Sequence, residues 1–311
     1  MSTSNSDARS LLQQGSLDEA LATLKSEVQA DPADAKHRVF LFQLLSVFGK
    51  WDSAHKQLEV AGDLDPGNLA MVQAYREAIR CEEQRNLVFT GKASPTILGE
   101  PAPWLACLIE SLRLHAGGNF SESAGLRSEA FEQAPATAGQ LTLADESTSE
   151  FQWLADADPR LGPVLEVILN GQYYWVPIDR IARIDFEAPA DLRDFVWTPV
   201  HLTLATGMQT VAMIPTRYFG SESVSDAAIR LARKTDWTSA HGDEAQFGLG
   251  QRMFATDVDD YPLLELCQLT FDVQPETADD ESLTEVHDEA PALSSASIGL
   301  ASNLTSASDG G

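Results

Sequence analysis

Apolar and polar positions follow two different periods along this chain, and the change falls near residue 150. Before it the spacing is helical. Residues 37–48, HRVFLFQLLSVF, are apolar almost all round, which suits a helix sandwiched between neighbours in a stacked array. Residues 68–86, NLAMVQAYREAIRCEEQRN, open on an Asn N-cap and carry Met71, Val72, Tyr75, Ala78 and Ile79 at helical spacing. Further helices are expected over 104–116 and 120–134, with an irregular, proline-bearing connection over 87–103. Residues 136–150, rich in Ala, Thr, Ser and Gly, read as a linker, and 151–163 as a helical turn opening a second domain. The period then shortens to two. PVLEVILNGQYYWVP (163–177) flanks Asn170-Gly171, the strongest short hairpin signal, and HLTLATGMQTVAMIP (201–215) repeats the plan around Gly207. Residues 247–257 and 263–273 read as later strands, and 223–237 as a helix capped by Ser or Asp.

The helical part repeats itself. GSLDEALATLKSEVQADP starts at Gly15, GKWDSAHKQLEVAGDLDP at Gly49 and GNFSESAGLRSEAFEQAP at Gly118; Gly15 to Gly49 and Pro32 to Pro66 are both 34 residues apart. That period is the tetratricopeptide spacing, a helix-turn-helix unit. The glycine ends the first helix of each unit in a left-handed conformation. A bulky residue follows (Leu17, Trp51, Phe120), then a small one (Ala20, Ala54, Ser123) that lets the paired helix approach, and the proline stops the second helix. The fold expected is multidomain: tetratricopeptide-like α-helical repeats over 7–135, a linker over 136–150, a small α+β domain over 151–273 and a disordered acidic, Ser-rich tail over 274–311.

Charge narrows the partners. The net charge of −26 disfavours nucleic acid and anionic membrane. It is uneven: no Lys or Arg follows Arg252, whereas thirteen Asp and Glu do. Three widely spaced cysteines give neither a zinc motif nor a disulfide framework, in keeping with a reducing cytosol. The opening MSTSNSDARS has no apolar signal core, and no run approaches a membrane span.

Catalytic chemistry is sparse. Phosphate-loop, zinc-protease and nucleophile-elbow motifs are missing, and GLGQRM at Gly248 lacks the remainder of a dinucleotide fingerprint. The Asp257, Asp259 and Asp260 cluster reads as a solvated turn rather than a Ca²⁺ loop. No metal, cofactor or catalytic residue is therefore expected. His37, His55 and His115 read as structural or solvated, and Trp175, Trp197 and Trp237 as core. Arg217, Arg230, Arg233, Lys234 and Arg252 read as paired with Asp226, Asp236 or Asp257, or alternatively as a small basic surface.

Five phrases of the second region carry a family likeness: WVPIDRI (175–181), DLRDFVWTPVHL (191–202), IPTRYFGSE (214–222), IRLARKTDW (229–237) and GLGQRMFATD…YPLLEL (248–266). With the degenerate repeats, they make the chain resemble the ImpE/SciE-type (TagJ) family of bacterial type VI secretion accessory proteins over about residues 10–272. The resemblance implies a cytoplasmic, non-enzymatic adaptor. Its implied partner is the small contractile-sheath subunit, bound through a helix near that subunit's N-terminus, with a role in sheath assembly or in recycling by the ClpV ATPase. A partner helix is expected in the concave groove of the repeats. The candidate contacts are Arg38, Phe42 and Leu45 on the first helix and Tyr75, Arg76 and Ile79 on the second. The alternative is an enzyme whose site joins Arg217, Asp257 and His241 in the β-rich region, with the repeats as a targeting arm.

Overall fold

The computed structural model describes residues 7–239 and 244–273; the expected tail and His241 lie outside them. Seven helices come first: α1 (Ala8–Gln13), α2 (Leu17–Ala30), α3 (Ala35–Val47), α4 (Trp51–Leu64), α5 (Leu69–Phe89), α6 (Pro103–Ala116) and α7 (Phe120–Gln133). The pairs α1–α2, α3–α4 and α6–α7 are the three repeat hairpins. Gly15, Gly49 and Gly118 turn between their helices at φ of 81°, 63° and 82°, a backbone that a β-carbon disfavours. The small residues behave as their spacing predicts, with Ala20, Ala54 and Ser123 fully buried. Ser123 and Ser111 clamp α7 to α6, each hydroxyl donating 2.8 Å to the other's carbonyl. Asp34 caps α3 by accepting the Lys36 and His37 N–H groups.

No second helix follows α5. The chain instead forms β1 (Thr96–Ile97), which joins the sheet parallel to β6. The stretch 136–150, expected as a linker, forms strands instead: β2 (Gly139–Leu143) and β3 (Thr148–Phe151) pair with each other, and β2 pairs with the last strand. The helical turn expected next is β4 (Leu154–Asp156) and a loop. Then come β5 (Val164–Leu169), β6 (Gln172–Pro177), β7 (Ile181–Phe186), β8 (Trp197–Leu204) and β9 (Gln209–Pro215). The helix expected in 223–237 is one turn, α8 (Ala227–Arg230), capped by Asp226, and gives way to β10 (Thr235–Ser239). Strands β11 (Gln246–Gly250), β12 (Met253–Thr256), β13 (Asp260–Pro262) and β14 (Leu266–Phe271) finish the fold. The main sheet has nine strands in the order β1-β6-β5-β9-β8-β7-β14-β2-β3, antiparallel except for β1. Asn170 and Gly171 both take positive φ, 49° and 71°, closing the β5–β6 hairpin as their sequence demands.

The helices and the sheet were expected as domains joined by a linker; they share one core. β5 is buried on both faces. Val164 and Ile168 join the helical core, while Leu165, Val167 and Leu169 join a second core with Phe254, Leu263 and Leu269. Trp175 and Trp197 lie in the helical core with no exposed surface. Each removes on the order of 200 Å² from water, a gross transfer gain of about 5 kcal/mol. The reason is legible in α3: a helix apolar all round needs cover on every side, and the chain's own sheet supplies part of that cover. No helix among the described residues is long and apolar enough to cross a membrane.

Candidate docking groove

The seam between helices and sheet is closed by a buried charge network. Glu166, the polar residue of the helix-facing side of β5, has no exposed surface. Arg85 of α5 grips it with two bonds, Nε to Oε1 at 2.7 Å and Nη2 to Oε2 at 3.0 Å. Arg252 donates to Glu166 and, through its other terminal nitrogen, to Asp156 of β4. The Tyr173 hydroxyl donates to Glu166 at 2.6 Å and accepts Trp175 Nε1 at 2.8 Å. On α5, Glu82 accepts Trp197 Nε1 at 2.9 Å. Burial pushes the Glu166 carboxyl up, but Arg85, Arg252 and Tyr173 outweigh it and hold it down to about 2. At Asp156 burial wins over Arg252 and raises the carboxyl to about 7. Arg217 binds no carboxylate in its hydrogen bonds. It donates to the carbonyls of Val47 (2.9 Å) and Ser46 (3.4 Å) at the end of α3 and to that of Arg230 (2.5 Å). Burial lowers its guanidinium to about 10.

Four of the six candidate contacts are buried in the core that the helices and the sheet share. Phe42, Leu45, Tyr75 and Ile79 are buried in the shared core. Tyr75 packs on Phe42 at 5.7 Å and on Trp197 at 5.8 Å between ring centres, and burial pushes its hydroxyl up to about 12. Arg38 is half-buried and ties α3 to its neighbours, donating to Gln57 Oε1 at 2.7 Å and to the Pro32 carbonyl. Arg76 is exposed, bonds Gln73 at 2.6 Å and lines a shallow hollow of about 370 Å³ with Ile79 and His55. The six do not form one site.

A larger groove, of about 620 Å³, opens one face further round α3. Its apolar lining comes from Leu12 of α1, Val39 and Phe40 of α3, Leu192 and Phe195 of the 3-10 turn before β8, and Leu231 after α8. Its rim carries Arg9, Lys36 and Arg233 against Asp65 and Asp191. Asp191 is already paired with Arg193 at 2.6 Å, so the rim is cationic on a strongly acidic protein. The turn is rigid. Asp194 accepts the Ala190 and Asp191 N–H groups at 2.9 and 2.8 Å, and its carbonyl takes the Thr216 hydroxyl at 2.7 Å. Arg9 lies over the Phe40 ring at 5.0 Å. A largely apolar groove beside this braced turn, with Gln13, Gln43 and Asn68 as its uncharged polar members, has the form that receives an amphipathic helix.

Known proteins resemble this arrangement as a whole. A tetratricopeptide repeat model matches residues 11–79, and the model of the ImpE protein family matches residues 148–270. The type VI secretion system accessory component TagJ of Pseudomonas aeruginosa is 46% identical over 265 residues, 85% of this chain and 91% of that protein. The chain belongs to the ImpE family. The crystal structure of protein VPA1032 from Vibrio parahaemolyticus superposes with a TM-score of 0.76 at 25% identity, over 85% of this chain and 97% of that one.

Within this ImpE-family fold, Arg217 and Asp257 of the enzyme alternative sit in different surroundings, and its third residue, His241, lies outside the described residues. Arg217 is buried at the end of α3, whereas Asp257 sits exposed in the β12–β13 turn and accepts the Gln152 N–H at 2.8 Å. The basic surface divides as well. Arg252 and Arg217 are internal, Lys234 pairs with Asp226 at 2.8 Å, and Arg233 is left on the groove rim. Sequence reasoning missed Val39 and Phe40 because α3 has no polar face to mark its open side. The phrase DLRDF (191–195), quoted for the family likeness, turns out to be the groove's far wall.

Proposed function

We propose that this type VI secretion accessory component is a non-enzymatic adaptor. It receives an amphipathic helix of the small sheath subunit in the groove between α1, α3 and the 189–195 turn, and so modulates sheath assembly or recycling by ClpV. The observation that carries the reading is the groove itself: about 620 Å³, room for roughly one and a half turns of a helix about 10 Å across. Its Arg9, Lys36 and Arg233 rim favours a helix with acidic flanks. The absence of catalysis is supported by the seam, whose convergent charged groups are paired with one another beneath tryptophans and are out of a substrate's reach.

Calorimetry of the full chain with a synthetic peptide of the subunit's N-terminal helix tests it. Micromolar binding is expected, weakened at least tenfold by Val39→Glu. Undiminished binding to Val39→Glu would remove the groove, and no binding to the parent chain would remove the adaptor reading.

A further inference from the structure

Four residues of α3 line the large groove: Lys36, Val39, Phe40 and Gln43. Their i, i+3, i+4 and i+7 spacing puts them on one face of the helix. Gln43 is the odd member. It interrupts the apolar run Leu41-Phe42-Gln43-Leu44-Leu45 and is only 5% exposed. Its side-chain amide has no hydrogen-bond partner among the described residues. The other uncharged polar members of the lining are satisfied: Asn68 donates to the Ala61 carbonyl at 3.2 Å, and Gln13 is exposed to water. A polar group shut away from water without a partner destabilises a fold, and a leucine at the same place would not. An occupant of the groove that meets this amide removes the penalty.

The atoms of the amide select what meets it. They offer one acceptor oxygen and two N–H donors. A docked α-helix has its own backbone groups bonded internally, so a side chain must answer. A carboxylate accepts but does not donate, and a lysine donates but does not accept. Either would also bring a charge among Leu12, Phe40 and Phe195. A hydroxyl meets one of the two atoms, whereas a second primary amide meets both, N–H to oxygen in each direction.

On the groove reading above, we infer that Gln43 sets its specificity by pairing with an asparagine or glutamine on the apolar face of the docked helix. Phe40 stands about one turn from Gln43 and Lys36 about two. An apolar anchor and an acid are therefore expected about one and two turns from the partner's amide. A helix apolar along its whole face would leave Gln43 unpaired and is selected against.

Calorimetry of the full chain with the synthetic peptide of the sheath subunit's N-terminal helix tests this, each Asn and Gln of the peptide being changed in turn to Ala. One such change is expected to weaken binding to the parent chain at least tenfold, and binding to Gln43→Leu by less than twofold. Gln43→Leu should itself bind the unchanged peptide at least tenfold more weakly. Its Tm should nevertheless rise by about 2 °C or more, because the free chain loses an unpaired buried amide. A lower Tm would overturn the pairing, as would coupling to a serine or threonine instead. So would undiminished binding to Gln43→Leu where Val39→Glu still weakens it; each of these leaves the groove standing. No binding by the parent chain, or binding indifferent to Val39→Glu, would remove the groove and the pairing together.

Discussion

The two ends of α3 face opposite situations. Its C-terminal half is enclosed, with the Ser46 and Val47 carbonyls held by Arg217 and Phe42 locked against Tyr75. Its N-terminal half leaves Val39 partly open in a groove. One helix thus serves as a keystone at one end and, in the function proposed above, as a receptor at the other. The difference teaches that apolar character alone does not mark a binding face; what matters is whether the chain itself supplies the cover.

The sharpest way to break the comparison is at the keystone end. Glu166→Ala leaves Arg85 and Arg252 without their shared carboxylate, and a loss of about 3–5 kcal/mol in urea unfolding is expected. A loss under about 1 kcal/mol would mean that the network is incidental. Arg217→Met strands three carbonyls at the ends of α3 and α8, and a smaller loss of about 1–3 kcal/mol should follow.

The pH dependence separates the two acids of the network. Glu166 is depressed from 4.5 to about 2, so its contribution is present above 4.5 and is lost as pH falls toward 2. Asp156 is raised from 3.8 to about 7; its contribution is complete below 3.8 and is lost as pH rises through 7. Asp156→Asn should therefore flatten the fall in stability between about pH 4 and 7, measured by thermal unfolding against the parent. An unchanged slope would place that titration elsewhere.

At the receptor end, Val39→Glu should shift stability by less than about 1 kcal/mol, because the new carboxylate reaches water and Lys36, while peptide affinity falls at least tenfold. Arg76→Ala, on an exposed face, should change stability by no more than about 0.5 kcal/mol. A larger effect on peptide binding than that of Val39→Glu would move the site to the hollow beside α5.

Local features of this fold were readable in advance, and long-range ones were not. The 34-residue period fixed the hairpins at Gly15 and Gly49, and Asn170-Gly171 fixed a sheet hairpin, because each depends on residues within a few positions. The strands β2 and β3 hid in a stretch of small polar residues because β2 is held by pairing with β14, more than a hundred residues on, and β3 by pairing with β2. Arg252 was expected to pair with Asp226, Asp236 or Asp257 or to join a small basic surface; it does pair, but with Asp156 and Glu166, which lie 96 and 86 residues away and are brought to it only by the sheet. Of the candidate contacts, Phe42 and Leu45 pack into the shared core because the sheet, whose core-forming strands lie more than a hundred residues further on, covers that side of α3, while the groove now proposed lies on another side of the same helix.

The shared seam has a consequence for dissection. A polypeptide ending at residue 135 would keep the three hairpins but lose Glu166, Trp175 and Trp197. Glu82 and Arg85 would lose their sheet-side partners, and Phe42, Leu45 and Tyr75 would meet solvent. Such a piece should be sticky, and its self-association would imitate or mask recognition of a partner. The smallest faithful unit of this molecule therefore runs through β14, and point substitutions rather than truncations are the means of mapping what it touches.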